Sequence, residues 1–416
     1  MVNDFIPRSN SERESTSAHG RSDSRIFKTP DAIATADDSK TTEPGNGPAH
    51  DKTPKHRRSL KAWIKSWGKK QWIIFAVIVA VLLAGGGVTA YALLHHKPVV
   101  KPAAVKKATP IPKPAPAPLV STLTGLPIGD ASVNQRPVTG VMIENSTDAR
   151  PQSGLDQAGV VFEAIAEGGI TRFLALFQDS QPDYIGPVRS VRPYYIQWAL
   201  GFDAAIAHVG GSPEGLQDMI DWHVKNLDQF VGGAYFQRIS SRYAPHNVYT
   251  SIAKLNQYEA AKGYGAPTYT GFERKKDAPG VSPNAKTIDL TLSGYYFNVH
   301  YDYDYSTNTY KRSEGGKPHM EVDSAGKQTQ IAPKVVIALV MPYGLESDDL
   351  HSSYATIGSG QAYVFQDGTV TIGTWKKTDK SAQFTFTNQD GATIKLNPGQ
   401  TWITALGATN QVKYTP

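Results

Sequence analysis

The chain has 416 residues and a mass of 45.1 kDa, enough for two ordinary domains with additional segments. It contains no cysteine, which excludes disulfide bonds, thiolate nucleophiles, cysteine-ligated metals and a lipidated cysteine. The net charge of +6 is uneven: residues 1–118 contain 19 Lys and Arg against 9 Asp and Glu, whereas residues 119–416 contain 24 against 28. The main body is therefore mildly acidic, which argues against nucleic-acid binding.

The N-terminal segment, residues 1–70, is predicted to be a disordered, basic cytoplasmic tail. Ser, Thr, Asp, Gly and Pro dominate its first part, and large apolar side chains are scarce there. Folding of such a segment could not bury enough apolar surface to offset the loss of chain entropy.

The apolar segment that follows, residues 71–95, is predicted to form one transmembrane helix. Residues 71–94 contain no charged side chain, and at about 1.5 Å per residue they can cross a hydrocarbon core about 30 Å thick. Eight Lys and Arg residues lie between positions 52 and 70, and five lie between positions 97 and 113. The positive-inside rule therefore places the N-terminus in the cytoplasm and the C-terminal domains outside the cell.

A cleaved signal peptide is the alternative interpretation of this segment. Ala90, Tyr91 and Ala92 resemble a small-residue cleavage site. However, about 70 residues precede the apolar run, whereas a signal peptide begins with a short basic region. An uncleaved anchor in the cell membrane is therefore favoured.

The rest of the sequence is divided into linkers and two domains by changes of pattern. A Pro/Ala/Lys-rich linker at 96–118 predicts an extended stalk. Residues 119–268 alternate strand and helix patterns and predict an α/β or α+β domain. After a Gly/Pro-rich linker at 269–285, residues 286–416 predict a mostly β domain of short strands. In the first domain, strands are predicted at 137–144, 159–166, 171–178 and 203–209, and helices at 192–200, 213–222 and 251–263.

Several long motifs of the body carry a family resemblance. The segments ARPQSGLDQAGVVFEAIAEGGITRFLALF, IGPVRSVRPY, AHVGGSPEG and PHNVYT, together with the later YKRSEGGKPH, GTWKK and NPGQTWI, resemble the YerB-like lipoprotein family, whose domain has no assigned function. The resemblance covers residues 119–416 and implies a surface-tethered, extracytoplasmic protein. This chain differs in having a membrane helix where the family has a lipid-bearing cysteine. The resemblance implies no catalytic residues.

Arginine and histidine side chains concentrate in these motifs. Guanidinium groups suit planar carboxylates and phosphates, so the motif side chains are candidates for an anion-binding site. The alternative is that each arginine pairs with a carboxylate such as Glu144, Glu163 or Glu167. The candidate ligand-binding residues are Arg172, Arg189, Arg192, His208, Ser212, Arg242 and His246.

The turn that contains Ser212 follows a strand and opens a helix. Ser is a strong helix N-cap, Pro213 suits the first helical position, and a helix N-terminus attracts anions. The alternative is an ordinary well-capped turn. Ser212 is a poor nucleophile candidate, because Glu214 stands where the nucleophile-elbow pattern requires glycine.

Glu163, Glu167 and His208 are the candidate acids and bases if the protein is an enzyme. On a regular strand the two glutamates would share a face but lie about 13 Å apart, too far for a glycosidase pair. No metal or nucleotide motif is present, so neither a metal nor a cofactor is expected. A second polar cluster, Lys311, Arg312 and His319, could face the arginine motifs if the two domains pack together.

These observations lead to one main functional hypothesis and two alternatives. The main hypothesis is a single-pass surface protein whose body binds an anionic cell-envelope polymer, such as peptidoglycan, or a cell-wall assembly protein. The alternatives are a hydrolase that modifies wall glycan or peptide, and a purely structural partner of a wall synthase.

Overall fold

The computed structural model describes residue 64, residues 67–95 and residues 118–416. Most of the predicted tail (residues 1–63, 65 and 66) and most of the predicted linker (96–117) lie outside the described residues. The described residues fall into two units, one ending at Pro110 and one beginning at Ile111.

The first unit contains the helix α1 (Lys69–His95). Its part from Lys69 to Gly87 is long and apolar enough to cross a membrane, and this is the one such helix in the described residues. Trp72 and Phe75 pack edge to face with their ring centres 6.0 Å apart. The helix predicted at 71–95 is therefore present in the structure.

The N-terminal half of the body mixes strands with helices, because its apolar residues recur at every second position in some segments and at every third or fourth position in others. Its strands are β1 (Thr139–Glu144), β2 (Val160–Glu167), β3 (Ile170–Phe177), β4 (Ala205–His208), β5 (Asn226–Asp228), β6 (Gln237–Arg238) and β7 (Val248–Tyr249). Its α-helices are α2 (Pro193–Leu200), α3 (Pro213–Asp221) and α4 (Ile252–Lys262). Each strand and helix predicted for this half is confirmed to within a few residues at its ends.

The C-terminal half consists of strands and short turns in the described residues. Its strands are β8 (Thr287–Leu290), β9 (Val299–Asp304), β10 (Thr309–Glu314), β11 (Lys317–Pro318), β12 (Met320–Val322), β13 (Gln328–Gln330), β14 (Val335–Val340), β15 (Tyr343–Leu345), β16 (Ser352–Tyr354), β17 (Gly358–Gln366), β18 (Thr369–Lys377), β19 (Thr385–Asn388), β20 (Thr401–Leu406) and β21 (Val412–Thr415). The predicted fold class, a mixed α/β half followed by a mostly β half, is confirmed.

A ten-stranded sheet runs through both halves in the order β19-β18-β17-β14-β20-β2-β3-β1-β4-β5. The halves meet where β20 pairs in parallel with both β14 and β2. A second, five-stranded antiparallel sheet has the order β11-β10-β9-β8-β21.

Apolar side chains cover both faces of the large sheet. Residues of α2 and α3, including Trp198 and Met219, pack on one face with Phe162 and Ile337. The opposite face packs against α4 and includes Phe173 and Trp402. The five-stranded sheet packs through Ile288 and Tyr301 against Val336 and Phe365 of the large sheet. The β9–β10 hairpin lies close to β2 and to the end of β1, because Arg312 pairs with Glu163 and Glu314 accepts a hydrogen bond from Asn145.

Candidate functional site

Polar side chains from several of the motifs contact Glu144 at the end of β1. Glu144 is the last residue of β1 and is buried. One of its carboxylate oxygens accepts a hydrogen bond from Ser146 Oγ at 2.9 Å and lies 3.3 Å from Arg189 Nε. The other lies 2.9 Å from Nδ1 of His246. Arg189 and His246 are partly exposed, so this Glu144 cluster reaches the surface.

His246 is oriented by its carboxylate partner. Because Nδ1 faces Glu144, Nε2 remains for other partners, as in other carboxylate–imidazole pairs. The candidate Arg242 lies nearby but meets no carboxylate among the described residues. Its guanidinium group donates to the main-chain oxygens of Asp148 and Pro151, at 3.2 and 2.6 Å. Arg242 therefore holds the loop after β1.

Arg172 and Arg192 meet at Glu167. Arg172 lies 2.6 Å from one oxygen of Glu167, and Arg192 contacts the other. Both guanidinium groups also donate to main-chain oxygens, Arg172 to Ser190 and Arg192 to Val191. Burial raises the pKa of Glu167, but the two arginines together outweigh burial and the net pKa is lowered. Glu167 is therefore ionised, and its single negative charge is shared by the two arginines.

Ser212 and His208 act within the strand–turn–helix motif itself. Ser212 Oγ accepts a hydrogen bond from the Gly215 amide at 3.2 Å, which is the N-cap arrangement predicted from the sequence. His208 is fully buried, and its two ring nitrogens lie 2.8 Å from the Gly210 carbonyl oxygen and 3.0 Å from Asn226 Oδ1. His208 offers no free nitrogen to a ligand in this arrangement.

The expectation that Glu163 and Glu167 share a face of their strand is wrong. A β-bulge between Ile165 and Glu167 shifts the register of β2 against β3. Glu163 consequently points to the opposite side, where it lies 2.8 Å from Arg312 and accepts a hydrogen bond from the Trp402 indole at 2.9 Å. Glu163 is fully buried, and both glutamates are held by arginines. Neither has the arrangement of an acid–base pair.

The sequence did not predict the role of Glu314, which ends β10 and is buried. Asn145 donates to its Oε1 at 2.6 Å, and Arg150 lies 3.3 Å from the same oxygen. Its Oε2 has no hydrogen-bond partner in the described residues. Burial, only partly opposed by the nearby arginines, raises the pKa of Glu314 to about 7.

His319 lies beside Glu314 and is also buried. Its Nε2 lies 3.0 Å from Gln152 Oε1, and the amide nitrogen of Gln152 donates to main-chain and side-chain oxygens, so Nε2 is the donor. Nδ1 is left as an acceptor, 3.6 Å from Glu314 Oε2 and without a hydrogen bond in the described residues. Burial lowers the pKa of His319 far below its usual value, which keeps the ring neutral.

A cavity of about 400 Å³ opens over these two side chains. This volume lies within the range of small-ligand sites, about 300–1,000 Å³. We call this cavity the Glu314 pocket. It combines residues of both halves of the body: Arg150, Pro151, Glu314, Lys317, Pro318, His319, Met320 and Gln328. The pocket thus brings the ARPQSG motif against the YKRSEGGKPH motif, and His319 is the residue of the second polar cluster that lines it.

Two residues of the second polar cluster make buried contacts, and the third lies at the surface. Arg312 pairs with Glu163 and His319 with Gln152, whereas Lys311 is exposed and pairs with Asp304 at 2.8 Å.

Among the described residues, one group has metal-ligand side chains close together: Glu346, Asp348 and His351. It lies between β15 and β16.

Comparison with known proteins gives the same family as the motifs. Residues 123–265 match the N-terminal domain, and residues 288–403 the C-terminal domain, of a family described as protein of unknown function (DUF3048). A protein of Bacillus subtilis (strain 168) named as a candidate lipoprotein, YerB, is 31% identical over 293 residues, covering 68% of this chain and 85% of the relative. The chain belongs to the YerB-like DUF3048 family.

A solved structure supports the same relationship. The crystal structure of YerB protein from Bacillus subtilis matches with a TM-score of 0.63 and 28% identity, covering 72% of this chain and all of that one. The resemblance noted in the sequence is therefore confirmed. A lipoprotein relative and one apolar N-terminal helix agree in indicating a membrane-associated, extracytoplasmic protein.

Proposed function

We propose that this YerB-like protein is a single-pass cell-membrane protein with its N-terminus in the cytoplasm and its body outside the cell. The length and composition of α1 support a membrane crossing. The excess of Lys and Arg before the helix supports the orientation. Protease added to intact cells is expected to remove the body. A body that resists digestion until the cells are lysed would contradict this topology.

We further propose that the body binds an anionic polymer of the cell envelope in the Glu314 pocket. The observation that carries this proposal is the pairing of a cationic rim with a buried, incompletely hydrogen-bonded floor. Arg150 and the exposed Lys317 contribute the rim charges, and Lys317 has no ion-pair partner among the described residues. Glu314 and His319 contribute the unpaired floor atoms.

The proposal moves the expected anion contacts away from Arg172 and Arg192. These two side chains are almost fully buried and already paired with Glu167, so another anion would have to displace an ion pair. Lys317, in contrast, can meet a phosphate or carboxylate without breaking a contact. The floor can then hydrogen-bond a hydroxyl or amine of the same ligand, because His319 Nδ1 is an acceptor.

Co-sedimentation of the full chain, in detergent, with purified Bacillus subtilis cell walls tests the binding. Lys317→Glu is expected to weaken binding roughly tenfold, since it reverses a charge at a contact. Lys413→Glu is the matched control, because Lys413 is an exposed lysine that does not line the pocket. Equal binding by both variants, or unchanged binding to walls whose anionic polymers have been extracted, would contradict the proposal. In the latter case a wall-assembly protein becomes the better partner.

A further inference from the structure

The connection between β15 and β16 holds a buried carboxylate that the described structure does not satisfy. Glu346 is 5% exposed, and neither of its carboxylate oxygens has a hydrogen bond of normal length and angle among the described residues. Burial raises the pKa of Glu346, although the Ser212 hydroxyl lies close enough to oppose this rise. Leaving a buried carboxylate without partners is costly, so such groups are normally paired with cations or metals. Glu346 therefore lacks the full set of donors or cations that a buried carboxylate normally has.

Two other metal-ligand side chains converge on the same point. One potential ligand atom each from Glu346, Asp348 and His351 lies within 4.8 Å of the other two. Two ligand atoms that each lie about 2.0–2.2 Å from one cation are at most about 4.4 Å apart, so small side-chain movements would complete the site. Asp348 and His351 are partly exposed, so an ion can enter from solvent.

The backbone of this connection fixes both outer ligands. One oxygen of Asp348 accepts the amide hydrogens of Leu350 and His351, both at 3.0 Å. Its second oxygen lies 2.5 Å from Nδ1 of His351. The main chains of Glu346 and His351 also meet, at 2.7 Å from nitrogen to oxygen. The three ligands are thus carried by a closed turn rather than by a chance encounter of surface side chains.

The surrounding charges favour a divalent cation. The charged and titratable neighbours of Glu346 include Arg192, His351 and Glu214, and Arg192 in turn pairs with Glu167. Glu346, Asp348 and Glu214 are three carboxylates that share the positive charge of Arg192. Glu167 contacts Arg192 directly, so the charge of Arg192 is divided between Glu167 and Glu346.

We propose that Glu346, Asp348 and His351 bind a divalent transition-metal cation of the Zn²⁺ or Mn²⁺ class. Imidazole is a ligand for Zn²⁺ and other transition metals, whereas Mg²⁺ and Ca²⁺ prefer oxygen ligands alone. Three protein ligands leave at least one coordination position open for water or an anionic group. The site is separate from the Glu314 pocket, with which it shares no residue.

Isothermal titration calorimetry of the untagged, metal-stripped full chain in detergent, with Zn²⁺ and Mn²⁺ as probes, tests the proposal. Wild-type protein is expected to bind one equivalent. His351→Gln and Asp348→Asn, which change partly exposed residues, are expected to weaken binding about tenfold or more. His300→Gln is the matched control, since His300 also contacts two aspartates, at 2.7 and 3.1 Å, but both aspartates are more than half exposed.

Three results would overturn the proposal. These are no binding by the wild-type chain at millimolar metal, equal affinity in the wild-type chain and His351→Gln, or tighter binding of Ca²⁺ or Mg²⁺ than of either transition metal. Thermal unfolding with and without Mn²⁺ gives a second readout. The metal-dependent rise in melting temperature should be present in the His300→Gln control and absent in Glu346→Gln.

Discussion

Arg312 on β10 lies 2.8 Å from Glu163 on β2, and neither side chain is exposed to solvent. The two residues belong to different halves of the body. The guanidinium carbon of Arg312 also lies 4.7 Å from the ring centre of Trp402, whose indole donates to Glu163. This buried pair attaches the β9–β10 hairpin, and with it one wall of the Glu314 pocket, to the large sheet.

Arg312→Met is expected to lower the free energy of unfolding by about 3–5 kcal/mol, because it leaves the Glu163 carboxylate buried without its cation. Urea denaturation of the fragment from Ile111 onward measures the change. Lys311→Met is the control, because its exposed ion pair with Asp304 contributes only about 0–1 kcal/mol. Combining Arg312→Met with Glu163→Gln should cost less than the sum of the two single changes. Additive losses would show that the pair is not coupled.

Glu167→Gln is expected to destabilise the body by about 3–5 kcal/mol as well. It leaves Arg172 and Arg192, both almost fully buried, without a counter-charge and close to each other. Glu273→Gln is a suitable comparison, because Glu273 and its partner Lys395 are both more than half exposed. If the two variants unfold at the same urea concentration, the Glu167 carboxylate is not the counter-charge that holds the buried arginines.

The sequence predicted the local structure well wherever one signal dominated. The turn before α3 is an example, because Ser212 and Pro213 define a helix start whatever surrounds it. The strands of the large sheet were also predictable from their apolar residues. The order of the strands in the sheet was not predictable. β20 lies between β14 and β2 although it comes more than 200 residues after β2. Such pairing depends on contacts far apart in the chain.

The Glu314 pocket was harder to predict for a different reason. In β10 the inward-facing residues are Tyr310, Arg312 and Glu314, so the buried face of this strand carries charges. The usual signal for a strand with one buried face is an alternation of apolar and polar residues. β10 does not show this signal, because two of its buried residues are charged. The β-bulge after Ile165 likewise reverses the side to which Glu167 points, and no residue type announces it.

His208→Ala is expected to lower the free energy of unfolding by about 2–4 kcal/mol without altering cell-wall binding. The variant leaves a cavity and removes two hydrogen-bonding contacts, to Gly210 and Asn226. Denaturation and co-sedimentation, carried out on the same preparation, separate the two effects. A stable variant that no longer binds walls would instead make His208 a ligand-binding residue.

Glu259 should make the stability of the body depend on pH. Its carboxylate is fully buried, one oxygen accepts a hydrogen bond from Thr139 at 2.8 Å, and the other has no partner in the described residues. Burial raises its pKa from 4.5 to about 7, although the Thr139 hydrogen bond and Lys225 oppose this. The folded state therefore holds the proton more tightly than the unfolded state. The resulting stability is fully present below pH 4.5 and is lost as the pH rises through about 7.

Comparing wild-type protein with Glu259→Gln isolates this effect from other titrating groups. Relative to wild type, the variant is expected to become more stable between pH 5 and pH 8, by at most about 3 kcal/mol. Urea denaturation at several pH values measures the difference. Thr139→Val removes the hydrogen bond that lowers the pKa, so the loss of stability should extend to higher pH in that variant. A constant difference between wild type and Glu259→Gln across this range would mean that the carboxyl group titrates alike in the folded and unfolded states.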